Sequence, residues 1–312
     1  MIAVLAGGVG AARFLAGLVG VVAEAEVTVV GNTGDDTVLH GLHVSPDLDT
    51  VTYTLAGAVN RATGWGIAGD SFGTMDALSR YNVATWFRLG DRDLATHLFR
   101  TQRLAAGATL TEVTAEITKA WGLGLTLLPM TDDDVRTRLR LADGREVDFQ
   151  EYFVHLRHQV AVESIAYVGA ESAVPAPGVA AALGAAEAIV LAPSNPLLSV
   201  APILAVPGIG EVLADRRDRV VAVSPIVAGR ALKGPADHLL VELGHESSAA
   251  GVARLLRPYC GCIVIDMADG DLAERVAATG VRAVVADTVM RTPKVAQALA
   301  RTALLAVGAG RR

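Results

Sequence analysis

Short apolar runs recur along this chain, and each ends in a loop rich in glycine, serine or proline. Ile2–Ala6, Val27–Val30, Ala188–Ala192, Arg219–Val223, Ile263–Met267 and Arg282–Ala286 are too short for buried helices and rich in valine and isoleucine, so they predict strands. Between them, apolar positions return with helical spacing over Ala11–Val19, Gly178–Leu183, Ser247–Leu256, Leu272–Thr279 and Pro293–Val307. Strands alternating with helices predict parallel βαβ units, hence an α/β fold with a doubly wound, mainly parallel sheet.

The rhythm breaks between about Val51 and Gln159. Leu110–Trp121 reads as a helix, opened by Thr109 and Glu112 at capping-box spacing. In "VRTRLRLADGREVDF", Val135, Thr137, Leu139 and Leu141 alternate before Asp143-Gly144, a two-residue hairpin turn, and "FQEYFVHLRH" then reads as a helix. The expected organisation is a core of residues 1–50 and 160–312, with 51–159 as an inserted mixed α/β region packed over the sheet.

Composition narrows the class. At 312 residues the chain can bury a sizeable core; it is 52% hydrophobic and only 4% aromatic, which suits buried parallel strands between small-residue helices. A net charge of −6 argues against a nucleic-acid binder. Nothing basic precedes the first apolar run, a glycine turn interrupts it, and the apolar stretch 185–209 is cut by Glu187, Asn195 and prolines, so a cytoplasmic protein without a membrane span is expected. Cys260 and Cys262 lack the C-x-x-C spacing of redox and zinc sites; strand alternation predicts that they face the same way, reduced and structural.

Parallel sheets take ligands at the carboxyl ends of their strands, so the loops there carry the chemistry. The first is Gly7-Gly8-Val9-Gly10, running into a helix that carries Arg13. Arg13 stands where a dinucleotide fingerprint needs its third glycine, and no Walker A lysine follows. Such a turn can still aim backbone N–H groups at a phosphate, with Arg13 adding charge; it can equally be a packing turn. The second loop, "GNTGDDTVLHGLHVSPDLDT", places Asp35, Asp36, Asp47 and Asp49 within fifteen residues, beside Asn32, Thr33 and Thr50. Four acids in an interrupted loop suit a hard cation such as Mg²⁺, which also holds substrate phosphates, while Asp35, Asp36, Ser45 and Asp47 are also good helix caps. "WFRLGDRDLATH" adds Asp91, Arg92, Asp93, Thr96 and His97 at a helix start. Ser194-Asn195-Pro196 and Ser224-Pro225, with Arg230 and Lys233, close two later strands with hydroxyls, amides and cations suited to a nucleotide. "TDDD" at 131–134 reads as a solvated turn.

In order along the chain, "GGVGAARFLAGL", "VVGNTGDD", "SPDLDTVTYTLAG", "GDRDLATH", "TLLPMTDD", "YVGAE", "LAPSNPLLSVAPIL" and "SPIVAGRALKGPAD" resemble the 2-phospho-L-lactate transferase family of coenzyme F420 biosynthesis, including its actinobacterial phosphoenolpyruvate-using members. The resemblance spans residues 7 to about 237. It implies a Rossmann-like nucleotide-binding core, an inserted region over the acceptor, a homodimer and a Mg²⁺ requirement. It also implies transfer of a phospho-three-carbon-acid unit from a guanosine diphosphate conjugate to the ribityl 5′-hydroxyl of the deazaflavin Fo, with loss of GMP; the choice between lactyl and enolpyruvyl donors stays open. By motif, Gly8, Val9, Gly10, Ser194 and Asn195 would hold the guanosine diphosphate, with Arg13, Ser224 and Lys233 beside them. Asp35 and Asp49 would bind metal or the acceptor hydroxyl. Asp49, Thr50, Asp91, Arg92 and His97 would face the acceptor, with Asp36 or His97 as base if Asp49 holds the metal. The chain departs from the pattern at Met290-Arg291-Thr292-Pro293, where a Thr-Asp is expected.

Two other classes compete. A nucleotide-sugar-binding regulator related to the gluconeogenesis factors would share the glycine turn without the "SPDLDT" and "GDRDLATH" acids. An NAD-dependent oxidoreductase would need the missing glycine.

Overall fold

The computed structural model describes residues 1–309. All six expected strands form, and a seventh joins them. In chain order they are β1 (Ile2–Ala6), β2 (Val27–Gly31), β3 (Thr126–Pro129), β4 (Ala188–Leu191), β5 (Val220–Val223), β6 (Cys262–Asp266) and β7 (Arg282–Ala286). Every pairing is parallel, and the spatial order is β3-β2-β1-β4-β5-β6-β7. This is the doubly wound order, with the chain's direction across the sheet reversing between β1 and β4.

Alternation along the strands supplies two core layers. Ala3 and Leu5 face one layer, with Leu191, Ile203 and Val252; Ile2, Val4 and Ala6 face the other, with Phe14, Leu15 and Leu299. The second layer is covered by α1 (Gly8–Leu18) and the last helix, Pro293–Ala306. Both faces of β1, β2, β4, β5 and β6 are buried, which is why their sequences are apolar apart from Thr28 and the strand-ending Asp266.

The expected boundaries of the insertion need correcting. Thr126–Pro129 lies within 51–159 yet forms β3 on the edge of the core sheet, in register from Thr28↔Thr126 to Gly31↔Pro129. A four-residue apolar run just after a helix carries no periodicity of its own, so it reads as the helix's tail. The antiparallel sheet of Arg136–Leu141 with Glu146–Asp148 and Val162–Val168 also crosses the boundary at 159. The Thr109–Glu112 capping box forms as expected. The hairpin turns at Asp143-Gly144, but its loop is three residues, Ala142 to Gly144, rather than two, because the Leu141 N–H bonds to the Arg145 carbonyl and Gly144 is left-handed. "FQEYFVHLRH" makes only the π-helical turn Glu151–His155, because Arg157 and His158 adopt left-handed φ values of 52° and 46°. Cys260 and Cys262 are free and buried but lie in opposite core layers, since Cys260 precedes β6 and escapes its alternation. Among the described residues, no single helix is long and apolar enough to cross a membrane.

Candidate active site

The loops leaving β1 and β4 open a crevice at the point where the sheet reverses direction. Ser194 ties them together: its Oγ donates to the Gly7 carbonyl at 2.8 Å and accepts the Gly7 N–H at 3.4 Å. The approach is close enough that a Cβ at Gly10 would collide with the carbonyl oxygen of Pro193, and Gly8 has φ +71°. The glycines are therefore required by packing whatever the turn binds. Above them lies a cavity of about 700 Å³, lined by Gly7–Gly10, Arg13, Asp35, Asp47, Asp49, Thr50, Ser194, Asn195, Ser224 and Lys233 among others.

A small hairpin builds the acidic floor. Strands Thr37–Leu39 and Leu42–Val44 pair around His40 and Gly41, both left-handed with φ of 52° and 78°. That turn folds the chain back so that Asp35 and Asp36 meet Asp47 and Asp49, which open α2 (Pro46–Leu55). Asp47 Oδ1 accepts the Gly8 N–H at 2.7 Å and its Oδ2 accepts Asn32 Nδ2 at 2.9 Å, so this acid already caps the start of α1. Burial pushes the Asp47 carboxyl up to about 6 against those two hydrogen bonds. Asp35 is raised well above the carboxylate range by burial and then by the charge of Asp47. Asp36 is raised by burial too.

The opposite wall is a stripe on α3 (Asp93–Ala105). Asp93, His97 and Arg100 recur at helical spacing on its inner face, and His97 and Arg100 are each 1% exposed; Asp93 and His97 line the cavity, while Arg100 stands outside the lining. Arg100 pairs with Asp49 Oδ1. His97 Nε2 stands 3.4 Å from Asp93 Oδ1, and Nδ1 stands 3.7 Å from Asp49 Oδ2. The Tyr53 hydroxyl donates to Asp93 Oδ1 at 2.6 Å; burial, then the charges of Asp49 and Asp93, raise its pKa and keep it protonated.

The structure thus brings together most of the residues singled out from sequence, but not all. Asp36 does not line the cavity; it is half-buried behind the floor, accepting from Ser45 Oγ at 2.6 Å. Asp91 and Arg92 also stand outside the lining. Asp91 accepts from Ser71 Oγ and from the amides of Gly73 and Thr74, which hold its carboxyl well below the usual range, so it clasps the start of helix Gly73–Leu78. Arg92 donates to the carbonyl of Ala68. Asp91 and Arg92 make local cap and turn contacts, whereas Asp93 and His97 of the same run turn inward. Asn195 Oδ1 is committed to the amides of Leu197 and Leu198, and Ser224 Oγ to the backbone of Ile226. Lys233 Nζ donates to the carbonyl of Thr63, and burial, then Arg13, lowers its pKa. In the C-terminal loop Met290 and Arg291 line the cavity, while Thr292 caps the last helix.

Sequence reading missed Tyr53 and Arg100, and noted Asp93 without giving it a role. The signal available was the 93, 97, 100 spacing on one helix face. It also missed an aromatic wall of Trp65, Phe87, Phe149 and Phe153, the last two stacked at 5.3 Å. Residues 60–66 fold over the glycine turn: Gly64, with φ +81°, sits so close to Val9 that an added Cβ would lie 2.7 Å from Val9 Cγ1.

The donor chemistry of this floor suits a hard cation: Asp49, Asp93 and His97 can each offer a ligand atom within 4.8 Å of one another, and Asp35 lines the same cavity. Asp35 Oδ1 and Asp49 Oδ2 are buried, border the cavity and have no hydrogen-bond partner. Two such carboxylate oxygens are the donors that Mg²⁺ takes, and a bound cation would offset the burial that raises Asp35.

A family model described as 2-phospho-L-lactate transferase CofD matches residues 2–304. The chain belongs to that family. It is 46% identical to a phosphoenolpyruvate transferase of Streptomyces griseus over 97% of each chain. It is 49% identical to that of Streptomyces coelicolor over 90% of this chain and 89% of the other, and 39% identical to that of Mycolicibacterium smegmatis over 97% of each. Among solved structures it resembles a UPF0052-family protein of Bacillus halodurans, with a TM-score of 0.61 at 17% identity over 97% of this chain and 98% of the other, a likeness of fold. Membership places this CofD-family chain among transferases, with the crevice between β1 and β4 as its active-site candidate.

Proposed function

We propose that the protein transfers a phosphoenolpyruvyl group from its guanosine diphosphate conjugate to the ribityl 5′-hydroxyl of Fo, releasing GMP, in coenzyme F420 biosynthesis. The observation that carries this reading is the meeting of a glycine-turn helix start with two unpartnered buried carboxylate oxygens on one cavity. The enolpyruvyl donor is preferred because the relatives at 39–49% identity are named phosphoenolpyruvate transferases.

Attack of a hydroxyl on a diphosphate needs positioning and charge neutralisation more than covalent help from the protein. The amides of Val9 and Gly10 and the side chain of Arg13 hold the guanosine diphosphate, where charge grows as GMP leaves. Asp35 and Asp49 would hold Mg²⁺, which would supply neutralisation of the phosphate charge when bound. Thr50 and Asp49 orient the acceptor hydroxyl. As the hydroxyl oxygen bonds to phosphorus and the bond to GMP breaks, the hydroxyl proton passes to the Asp49 carboxylate or to the departing GMP phosphate, so orientation and proton removal act together. Lys233 and Arg291, on the same cavity, neutralise the carboxylate of the transferred unit. The aromatic wall takes the deazaflavin ring by stacking.

The test is a mass-spectrometric transfer assay with Fo, Mg²⁺ and either the enolpyruvyl or the lactyl conjugate. Product from the enolpyruvyl donor with release of GMP is expected. Product from the lactyl donor alone would reverse the donor assignment. No product from either, by folded protein that binds guanosine diphosphate, would leave the nucleotide-binding regulator in its place.

A further inference from the structure

The acidic floor contains one fully buried cation, Arg100, and its guanidinium is shared out in an informative way. It pairs with Asp49 Oδ1, Nη1 lies 3.2 Å from His97 Nδ1, and Nη1 donates to the His43 carbonyl at 3.3 Å. A guanidinium carries donors only, so His97 Nδ1 must accept, which puts the ring proton on Nε2 facing Asp93. Consequently no proton stands between His97 Nδ1 and Asp49 Oδ2, although they are 3.7 Å apart. Asp49 is left with one oxygen fixed and one open, and the open oxygen is buried without a partner.

We propose that Arg100 is a positioning residue: by occupying Asp49 Oδ1 and fixing the His97 tautomer, it presents Asp49 to the divalent cation through Oδ2 alone. This rests on the reading of Asp49 as a cation ligand. The fork explains why the residue is arginine: a planar guanidinium reaches the carboxylate, the imidazole and a carbonyl together, whereas a lysine ammonium is a single point on a flexible stem. With Arg100 absent, Asp49 is free to rotate and offer both oxygens. The cation then binds more strongly, but in a seat unsuited to the diphosphate.

The experiment compares wild-type protein with Arg100→Met and Arg100→Lys. It measures Mn²⁺ binding to substrate-free protein by electron paramagnetic resonance titration, melting temperature with and without Mn²⁺, and kcat and KM for the donor. Arg100→Met should bind Mn²⁺ about tenfold tighter, the scale of one nearby charge, and regain most of its lost melting temperature when Mn²⁺ is added. Its kcat should fall about 100-fold with little change in KM, a loss of transition-state interaction rather than of binding. Arg100→Lys keeps the charge and loses the fork, so Mn²⁺ affinity should stay near wild type while kcat stays at least about tenfold down. Mn²⁺ affinity that falls together with stability in both variants, or kcat restored by lysine, would overturn the inference. If Arg100→Met does not fold, the lysine variant decides the matter alone. No Mn²⁺ binding by the wild type would overturn the cation reading itself, a result distinguishable from failure of the Arg100 role.

Discussion

Asp47 and Gly8 are 39 residues apart, yet the aspartate's Oδ1 lies 2.7 Å from the glycine's amide. The start of α1, the part of the molecule best suited to a phosphate, therefore already holds an internal anion. A diphosphate bound there meets amides on one side and the Asp47 charge on the other. Asp47→Asn keeps an oxygen for the Gly8 N–H and removes that charge. Guanosine diphosphate should then bind metal-free protein roughly five- to tenfold tighter, the scale of a charge at a helix terminus. Calorimetric titration of both proteins checks this, and equal affinities would place the diphosphate elsewhere.

Asp35 is the acid whose removal should separate function from folding. It sits buried beside Asp47, and Oδ1 has no partner. Asp35→Asn removes a repulsive charge while keeping the shape, so melting temperature should hold or rise. Turnover should fall at least about 100-fold, the scale of losing a main electrostatic stabiliser of the transition state. A variant with near-normal turnover would remove Asp35 from the site.

Asp49 should behave differently, and sequence gives no warning of it. From the acid-rich motif alone, Asp49→Asn would be expected to cost turnover and spare stability. The pairing with Arg100 changes that, because the amide leaves a fully buried guanidinium without its counter-charge. Breaking a buried pair from one side costs about 3–5 kcal/mol, so this variant should lose both turnover and stability. Denaturant titration of Asp35→Asn and Asp49→Asn side by side tests the contrast, which fails if the two are equally stable.

What could be read from the sequence follows what each residue's neighbours along the chain determine. Val27–Val30 and Ile2–Ala6 announce strands because both faces are buried, leaving Thr28 as the single polar position in the two runs. Thr126–Pro129 is just as much a strand, but its partner β2 lies about a hundred residues upstream and nothing local reports it. The acids of the second loop were visible as a group, whereas their convergence depends on a His40-Gly41 turn that lacks the usual Asn-Gly signature. Asp91 and Asp93 look equivalent in the sequence. The helix that begins at Asp93 turns one inward and leaves the other on the surface, a distinction that only the spacing to His97 and Arg100 hinted at.

The raised carboxyls set a pH dependence of stability whose sign is unusual. Asp35, Asp36 and Asp47 have folded-state pKa values above their unfolded ones, about 6 in the case of Asp47. The folded protein therefore binds more protons than the unfolded chain between the two values, and this contribution is lost as pH rises through the folded pKa. Metal-free protein should melt roughly 2–4 °C higher at about pH 5.5 than at about pH 7.5. Saturating Mg²⁺ should flatten the difference by supplying the missing positive charge. Melting curves at the two pH values, with and without the cation, decide this; a metal-free protein less stable at the lower pH would refute it.

The contact between Gly64 and Val9 makes the 60–66 loop a cover for the glycine turn. Lys233 holds the neighbouring Thr63 carbonyl, and Trp65 of the same loop lines the cavity. Gly64 has φ +81° and its missing Cβ would stand 2.7 Å from Val9 Cγ1 and 3.1 Å from Lys233 Nζ. Gly64→Ala cannot keep both the backbone conformation and the contact, so the loop must lift. Since the loop carries little of the core, the melting temperature should stay within about 2 °C of wild type, as for most substitutions outside packed interiors. KM for both substrates should rise roughly tenfold through loss of the closed cover, with a smaller fall in kcat. Steady-state kinetics on the purified variant measure this directly. Unchanged KM values would mean that the loop rests on the turn without guarding it.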